Sequence, residues 1–280
     1  MREIDAGLIT ECVRNACIKA CNELPDDVLD SLRRARELEE SPVGRDVIDQ
    51  LMENAAIALD EQVPICQDTG VALVFLEMGQ DAHVIGGGLY EAINEGVRRG
   101  YNEGYLRKSV VRHPIDRVNT RDNTPAVIHV EIVPGDGLRI TVVPKGGGGE
   151  NKSVAKVLTP ADGLEGVKKF VVETVRNAGP DPCPPVIVGV GLGGTLEKAA
   201  LLSKKAILRR LGEPSPNPID AEIERDLLAA VNETGVGPSG LGGRVTALAV
   251  HVESHPCHIA SLPVAITLQC HAARHREVDL

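Results

Sequence analysis

The sequence predicts a mixed α and β protein, in which a helical N-terminal region precedes β-containing lobes with packed helices, in a strand order left open. Three observations lead there. Residues 1 to 62 carry helix signals and no strand-like run. From Val71 onward short apolar runs alternate with helical segments. With 280 residues, 42 % of them hydrophobic, the chain buries a substantial core without disulfide staples.

The helical region divides into Ile4 to Asn22, Asp27 to Glu40, and a segment with Ser41 as N-cap and Pro42 behind it, running to about Gln62. Cys12, Cys17 and Cys21 fall near one face of the first helix and read as buried thiols rather than ligands. Val71 to Met78 reads as a strand, and Leu89 to Gly100 as a helix behind three glycines. Ala126 to Val133, Pro134-Gly135-Asp136-Gly137 and Leu138 to Val143 together predict a β-hairpin. Helices are expected over Leu164 to Asn177, Thr195 to Leu211 and Ala221 to Asn232, with strands at Val186 to Val190, Val245 to Val252 and Ile259 to Leu268. No repeat or low-complexity tract interrupts the chain. Residues 1–280 therefore read as one unit, or as two lobes spanning 1–150 and 151–280.

Charge and composition exclude several function classes. A net charge of −10 and five aromatic residues leave neither the cationic patch nor the stacking platform that nucleic acid requires. No stretch approaches the roughly 20 apolar residues of a membrane span and no apolar leader opens the chain, so a soluble, cytoplasmic protein is expected. An odd count of seven cysteines points to reduced thiols or metal ligands.

Four segments carry candidate chemistry. Gly189, Gly191, Gly193 and Gly194 follow a strand and open a helix, as in a dinucleotide-binding turn, but the acidic residue expected at the end of a second strand is missing. Cys66-Gln67-Asp68-Thr69-Gly70 sets a thiol beside a carboxylate where a helix gives way to a strand; the one suits a metal and the other proton transfer, with a plain Asp-Thr-Gly turn as the alternative. Cys183 lies among Pro182, Pro184 and Pro185, a stiff strap of the kind that presents a ligand. The stretch from Ser254 to His271, with His255, Cys257, His258 and Cys270, is rich in ligand-type residues, yet the chain has no Cys-x-x-Cys pair or His-Glu-x-x-His helix.

Taken together, these segments resemble the class I fumarate hydratases and their L-tartrate dehydratase relatives. The resemblance rests on Cys66 to Gly70, Tyr105 to Ser109, Asn123 to Ala126, Lys145 to Lys152, Cys183 to Pro185, Gly193 to Thr195 and His258 to Cys270, in the family's order over nearly the whole chain. It implies a 4Fe-4S cluster held by Cys66, Cys183 and Cys270, with Cys257 as the rival for the third position. The fourth iron, without a protein thiolate, would act as a Lewis acid on substrate oxygen. It further implies Asp68 as the acid/base at the substrate hydroxyl, Gln67 and His258 in the substrate pocket, Arg107 as a carboxylate clamp, and Gly148 as the glycine whose backbone approaches substrate.

The resemblance covers the family's N-terminal, cluster-binding half. It implies a beta subunit that carries the C-terminal catalytic half, in a heterotetramer active only when assembled. Leu262 stands where single-chain bacterial members carry a further cysteine. The expected activity is reversible hydration of fumarate to L-malate, with L-tartrate dehydration as the alternative. A structural metal-binding module and a nicotinamide oxidoreductase are the readings from other classes.

Overall fold

A computed structural model describes residues 2–280. In chain order the elements are β1 (Arg2–Asp5), α1 (Ala6–Asn22), α2 (Asp26–Leu38), α3 (Pro42–Glu61), β2 (Val71–Gly79), β3 (Ala82–Ile85), α4 (Leu89–Glu103), β4 (Val127–Val133), β5 (Leu138–Lys145), α5 (Gly147–Glu150), β6 (Val154–Leu158), α6 (Gly163–Ala178), β7 (Val186–Gly193), α7 (Leu196–Ala206), α8 (Pro218–Asn232), β8 (Ala247–His255), β9 (Leu262–Gln269) and β10 (Arg276–Asp279). The mixed α/β class is as the sequence predicts. No helix is long and apolar enough to cross a membrane among the described residues.

The chain forms two compact units, each assembled from separate segments. The first comprises residues 1–25, 54–147 and 274–280, the second residues 26–53 and 148–273.

In the first unit a four-stranded sheet runs β10-β5-β2-β4, while β1 pairs in parallel with β3. The first helix was expected from Ile4, but Arg2–Asp5 is a strand. Asp5 then caps α1, its carboxylate accepting hydrogen bonds from the Gly7 and Leu8 amides at 2.8 and 3.2 Å. Ile9, Val13 and Cys17 of α1 join Ile93, Val97 and Tyr101 of α4 and Val74 and Ile140 of the sheet in one core. Each such aliphatic side chain contributes about 1.5–3 kcal/mol on burial.

The expected hairpin is not formed. β2 lies between the two arms, parallel to β4 and antiparallel to β5. The Pro134–Gly137 connection instead wraps the end of β2, with the Gly79 amide donating to the Gly137 carbonyl at 2.8 Å and Asp81 to Gly135 at 2.9 Å. A short turn between two alternating runs signals strands, but an apolar third strand such as β2, buried on both faces, displaces their direct pairing.

The second unit holds a sheet in the order β6-β9-β7-β8. Val186, Val188 and Val190 of β7 pack into a core with Val167, Val171 and Val175 of α6 and Leu227 and Val231 of α8. The intervening glycines face α7. A Cβ on Gly189 would lie 2.1 Å from the Ser203 carbonyl oxygen, and one on Gly191 would lie 2.0 Å from that of Ala199. Gly189 and Gly191 therefore mark the face of a strand against which a helix backbone packs, and only Gly193 and Gly194 lie at the turn into α7. Those two glycines of the strand thus lend the nicotinamide reading no support.

Candidate active site

In the first unit, the Cys66–Gly70 loop bridges the end of α3 and the start of β2. The Ile65 amide donates to the Cys21 carbonyl at 2.9 Å, fixing where the loop begins. At its end Gly70 has φ +72°, and a Cβ there would lie 2.5 Å from the Lys145 carbonyl, so no other residue fits. Between these anchors Asp68 is half-buried. Its Oδ1 accepts from the Gly70 amide at 3.0 Å and its Oδ2 from the Gly147 amide at 2.7 Å. Two backbone donors on opposite oxygens fix the carboxylate plane, as proton transfer at a defined substrate atom requires. The Asp68 amide donates to Cys66 Sγ at 3.4 Å, and that thiol reaches Gln67 Oε1 at 3.3 Å.

Arg107 is brought to this loop through the backbone. Thr69, 1 % exposed, donates its hydroxyl to the Arg107 carbonyl at 2.9 Å. The guanidinium is exposed and makes no ion pair among the described residues. Three residues with no role in the sequence reading complete the scaffold. Asn123, fully buried at φ +61°, accepts on Oδ1 from the Ser109 and Val110 amides at 2.7 and 3.2 Å, and donates from Nδ2 to the Gly70 carbonyl at 3.1 Å. One amide side chain thus ties the arginine loop to the aspartate loop. The Tyr101 hydroxyl donates to the Thr69 carbonyl at 2.6 Å, and buried Arg274 donates to the Asp68 carbonyl. Asn123 was visible only as part of a matched segment, and Arg274 only as one cation among several near the C-terminus.

In the second unit, Cys183 and Cys270 come from adjacent straps. The Cys183 carbonyl accepts from the His271 amide at 3.4 Å and lies 3.0 Å from His271 Nδ1. Cys183 is exposed at φ +56°, in the left-handed region that side-chain-bearing residues rarely adopt, while Cys270 is half-exposed. His258 sits on the exposed turn between β8 and β9, where Nδ1 accepts from the Ala260 amide at 3.1 Å. Two concavities flank it, one of about 590 Å³ lined by Thr195, Lys198, His255 and Cys257, the other of about 370 Å³ against Leu164, Val167 and Ile223. Gly148 stands in a short helical turn rather than a loop. A Cβ there would lie 2.7 Å from the Asp181 carbonyl oxygen.

The thiols separate into two populations. Cys17 and Cys21 are fully buried on α1, as the sequence suggested, whereas Cys12 on the same helix is only partly buried. Burial pushes the Cys21 thiol up to about 11 against the opposing pull of Arg274, and it raises Cys17 further, with Cys21 adding to the effect. Both are thereby disfavoured as thiolates and hence as ligands. Cys66, Cys183, Cys257 and Cys270 are accessible to different degrees. Among the described residues no three His, Cys, Asp or Glu side chains gather around one point. The donor set nevertheless suits an iron-sulfur centre: accessible thiols on loops, one of them already receiving a backbone N–H, the contact that stabilises a ligating sulfur.

A carboxylate held by two backbone amides beside an accessible thiol, with the Arg107 backbone bonded to the same loop, is an arrangement able to carry acid–base chemistry. The chain belongs to the fumarate hydratase family, whose members are hydro-lyases: the model described as Fumarate hydratase (Fumerase) matches residues 10–279. Among its relatives, a Methanocaldococcus jannaschii protein provisionally named L(+)-tartrate dehydratase subunit alpha is 42 % identical over 277 residues, covering 96 % of this chain and 95 % of that one. The L(+)-tartrate dehydratase subunit alpha of Escherichia coli strain K12 is 37 % identical over 270 residues, covering 95 % of this chain and 88 % of that one.

Proposed function

We propose that this chain is the alpha subunit of an iron-sulfur hydro-lyase that reversibly hydrates fumarate to L-malate. The observation that carries the reading is the Asp68 carboxylate, oriented by two backbone amides one residue from Gln67 and two from the Cys66 thiol. Cys66, Cys183 and Cys270 would hold a 4Fe-4S cluster, which when bound supplies a Lewis-acidic iron for substrate oxygen. In this reading residues 1–280 act as one cluster-binding unit.

The chain's own side chains do the remaining work. Asp68 takes and returns the proton at the substrate hydroxyl, and the Arg107 guanidinium binds a carboxylate with its two-pronged geometry. Gln67 and His258 orient the substrate, and the backbone at Gly148 lets it approach closely. Addition to a double bond also needs a proton at carbon, for which these residues offer no second group; a beta subunit would supply it in an α2β2 assembly. The naming of both relatives as subunit alpha supports such a partner. A cytoplasmic setting suits an oxygen-labile cofactor. A second reading, dehydration of L(+)-tartrate, is favoured by the names of those same relatives.

Iron and acid-labile sulfide analysis after anaerobic reconstitution tests the cofactor. About one 4Fe-4S cluster per chain is expected, lost on replacing Cys66, Cys183 or Cys270 with Ser and kept in Cys257→Ser. Loss in Cys257→Ser with retention in Cys270→Ser would overturn the ligand assignment. Stoichiometric zinc without sulfide would instead support a structural metal module.

A further inference from the structure

The segment from Tyr105 to Arg121 carries five Lys or Arg residues, namely Arg107, Lys108, Arg112, Arg117 and Arg121, against a single acid, Asp116, in a chain whose net charge is −10. None of the five makes an ion pair among the described residues, whereas many of the chain's other arginines do. The segment lies outside the helices and the main sheets, yet it is not loosely held. Val111 bridges Asn119, the Arg112 amide donates to the Val118 carbonyl at 2.8 Å, and the Thr120 amide to the Val110 carbonyl at 2.9 Å. His113 Nδ1 accepts from the Ile115 and Asp116 amides at 3.2 and 3.3 Å, shaping the tip. What this small hairpin displays is apolar as well as cationic. Ile115 at the tip is 83 % exposed and Tyr105 at the base 90 %, with Val118 at 47 %. An ordered projection with unsatisfied charge and a bare aliphatic tip has the composition of a protein contact: an apolar centre with a charged rim.

From this we infer that the 105–121 hairpin is the docking element for the partner subunit, and that the partner presents an acidic face with an apolar recess for Ile115. The inference rests on the two-subunit reading above. Two observations select this occupant. The base of the hairpin is bonded to the Asp68 loop through Thr69 and Asn123, so a polypeptide seated on it arrives where the missing proton-transfer group is needed. A second copy of this chain in a two-fold contact would set basic hairpin against basic hairpin, which like-charge repulsion opposes. Basic rim residues also speed encounter with an acidic partner, in a way that salt screens.

The test co-expresses the chain with the second subunit from the same organism and measures their affinity by biolayer interferometry, for the wild type and for Arg112→Glu with Ile115→Asp. Neither residue belongs to the proposed catalytic set, and the Arg112 backbone bond survives the change. The variant is expected to bind at least about tenfold more weakly at unchanged melting temperature, as loss of a contact centre does. For the wild type, raising KCl from roughly 0.05 to 0.5 M should slow association markedly. This salt series decides the matter if the variant fails to fold. Affinity unchanged within twofold together with a salt-independent on-rate would overturn the proposal. So would a raised KM for dicarboxylate with unchanged subunit affinity, which would make the hairpin a substrate-guiding element, or loss of self-association alone, which would make it a contact between copies. No binding by the wild type would also overturn it. A wild-type pair that associates but turns over no dicarboxylate would refute the substrate reading while leaving the docking result in force.

Discussion

Replacing Asn123 by Ala should loosen the candidate site and the fold of the first unit together. The side chain is fully buried and makes three hydrogen bonds, to the Ser109 and Val110 amides and the Gly70 carbonyl. Ser109 is exposed, so its amide regains water; Val110 is only half-exposed and the Gly70 carbonyl keeps only a long 3.3 Å contact from Tyr101. Leaving such groups short costs roughly 1–3 kcal/mol each. Alanine at φ +61° adds about 1 kcal/mol that asparagine tolerates better. The total is about 3–7 kcal/mol, a fall in melting temperature of roughly 6–28 °C, readable by calorimetry or circular dichroism. Asn123→Asp keeps both acceptor bonds but sets a buried carboxylate oxygen against the Gly70 carbonyl, so it should also destabilise the first unit at neutral pH. In the assembled enzyme the Ala variant should raise KM for dicarboxylate, because the loop bearing Arg107 loses its tie to the Asp68 loop. An Ala variant melting within about 2 °C of the wild type would refute the reasoning.

Asp68→Asn should keep the cluster but lose roughly 100- to 10,000-fold in kcat, since an amide keeps the shape and cannot move the proton; Arg107→Lys should chiefly raise KM, as the charge survives without the fork. Both are read from steady-state kinetics of the co-expressed pair. Glu39, buried, accepts from the Ser41, Arg244 and Val245 amides at 2.8 to 3.0 Å. Burial raises its pKa, but the amides of Arg244, Val245, Ser41 and Glu40 prevail, holding the carboxyl below its usual 4.5. Its contribution is therefore full above pH 4.5 and lost as pH falls through the folded value, so the stability lead over Glu39→Gln in urea titrations should shrink only on acidification below 4.5. Iodoacetamide at pH 8 should label Cys183 and Cys257 in the native chain and reach Cys17 and Cys21 only after denaturation, as peptide mass mapping will show.

The sequence made some features legible and hid others for physical reasons. Caps and apolar periodicity marked α3, α6 and α8 to within a few residues, because those signals are local. The short edge strands β1, β3, β6 and β10 escaped notice. Such strands are defined by their partners rather than by their own composition, and β6, with residues 154–157 exposed, has no inward face to betray it. The hairpin was mistaken for the same reason: strand order is non-local, and β2 inserts between sequence neighbours. Gly189 and Gly191 looked functional because a glycine forced by helix packing and a glycine forced by phosphate have the same sequence signature. The side chains expected to do chemistry were visible through their resemblance to a family; the buried supports, Tyr101, Asn123 and Arg274, were not, since their roles lie in backbone contacts made over tens or hundreds of residues.

The most direct test of the central claim is turnover by the chain co-expressed with its second subunit, purified and reconstituted without oxygen, with fumarate consumption followed by ultraviolet absorbance and L(+)-tartrate assayed in parallel. The account predicts hydration of fumarate to L-malate by the pair and none by the single chain, with activity lost in air and restored by ferrous iron and reductant. Turnover of L(+)-tartrate alone would select the second reading. No turnover of either dicarboxylate by a cluster-loaded pair, or full activity from the chain by itself, would contradict the account.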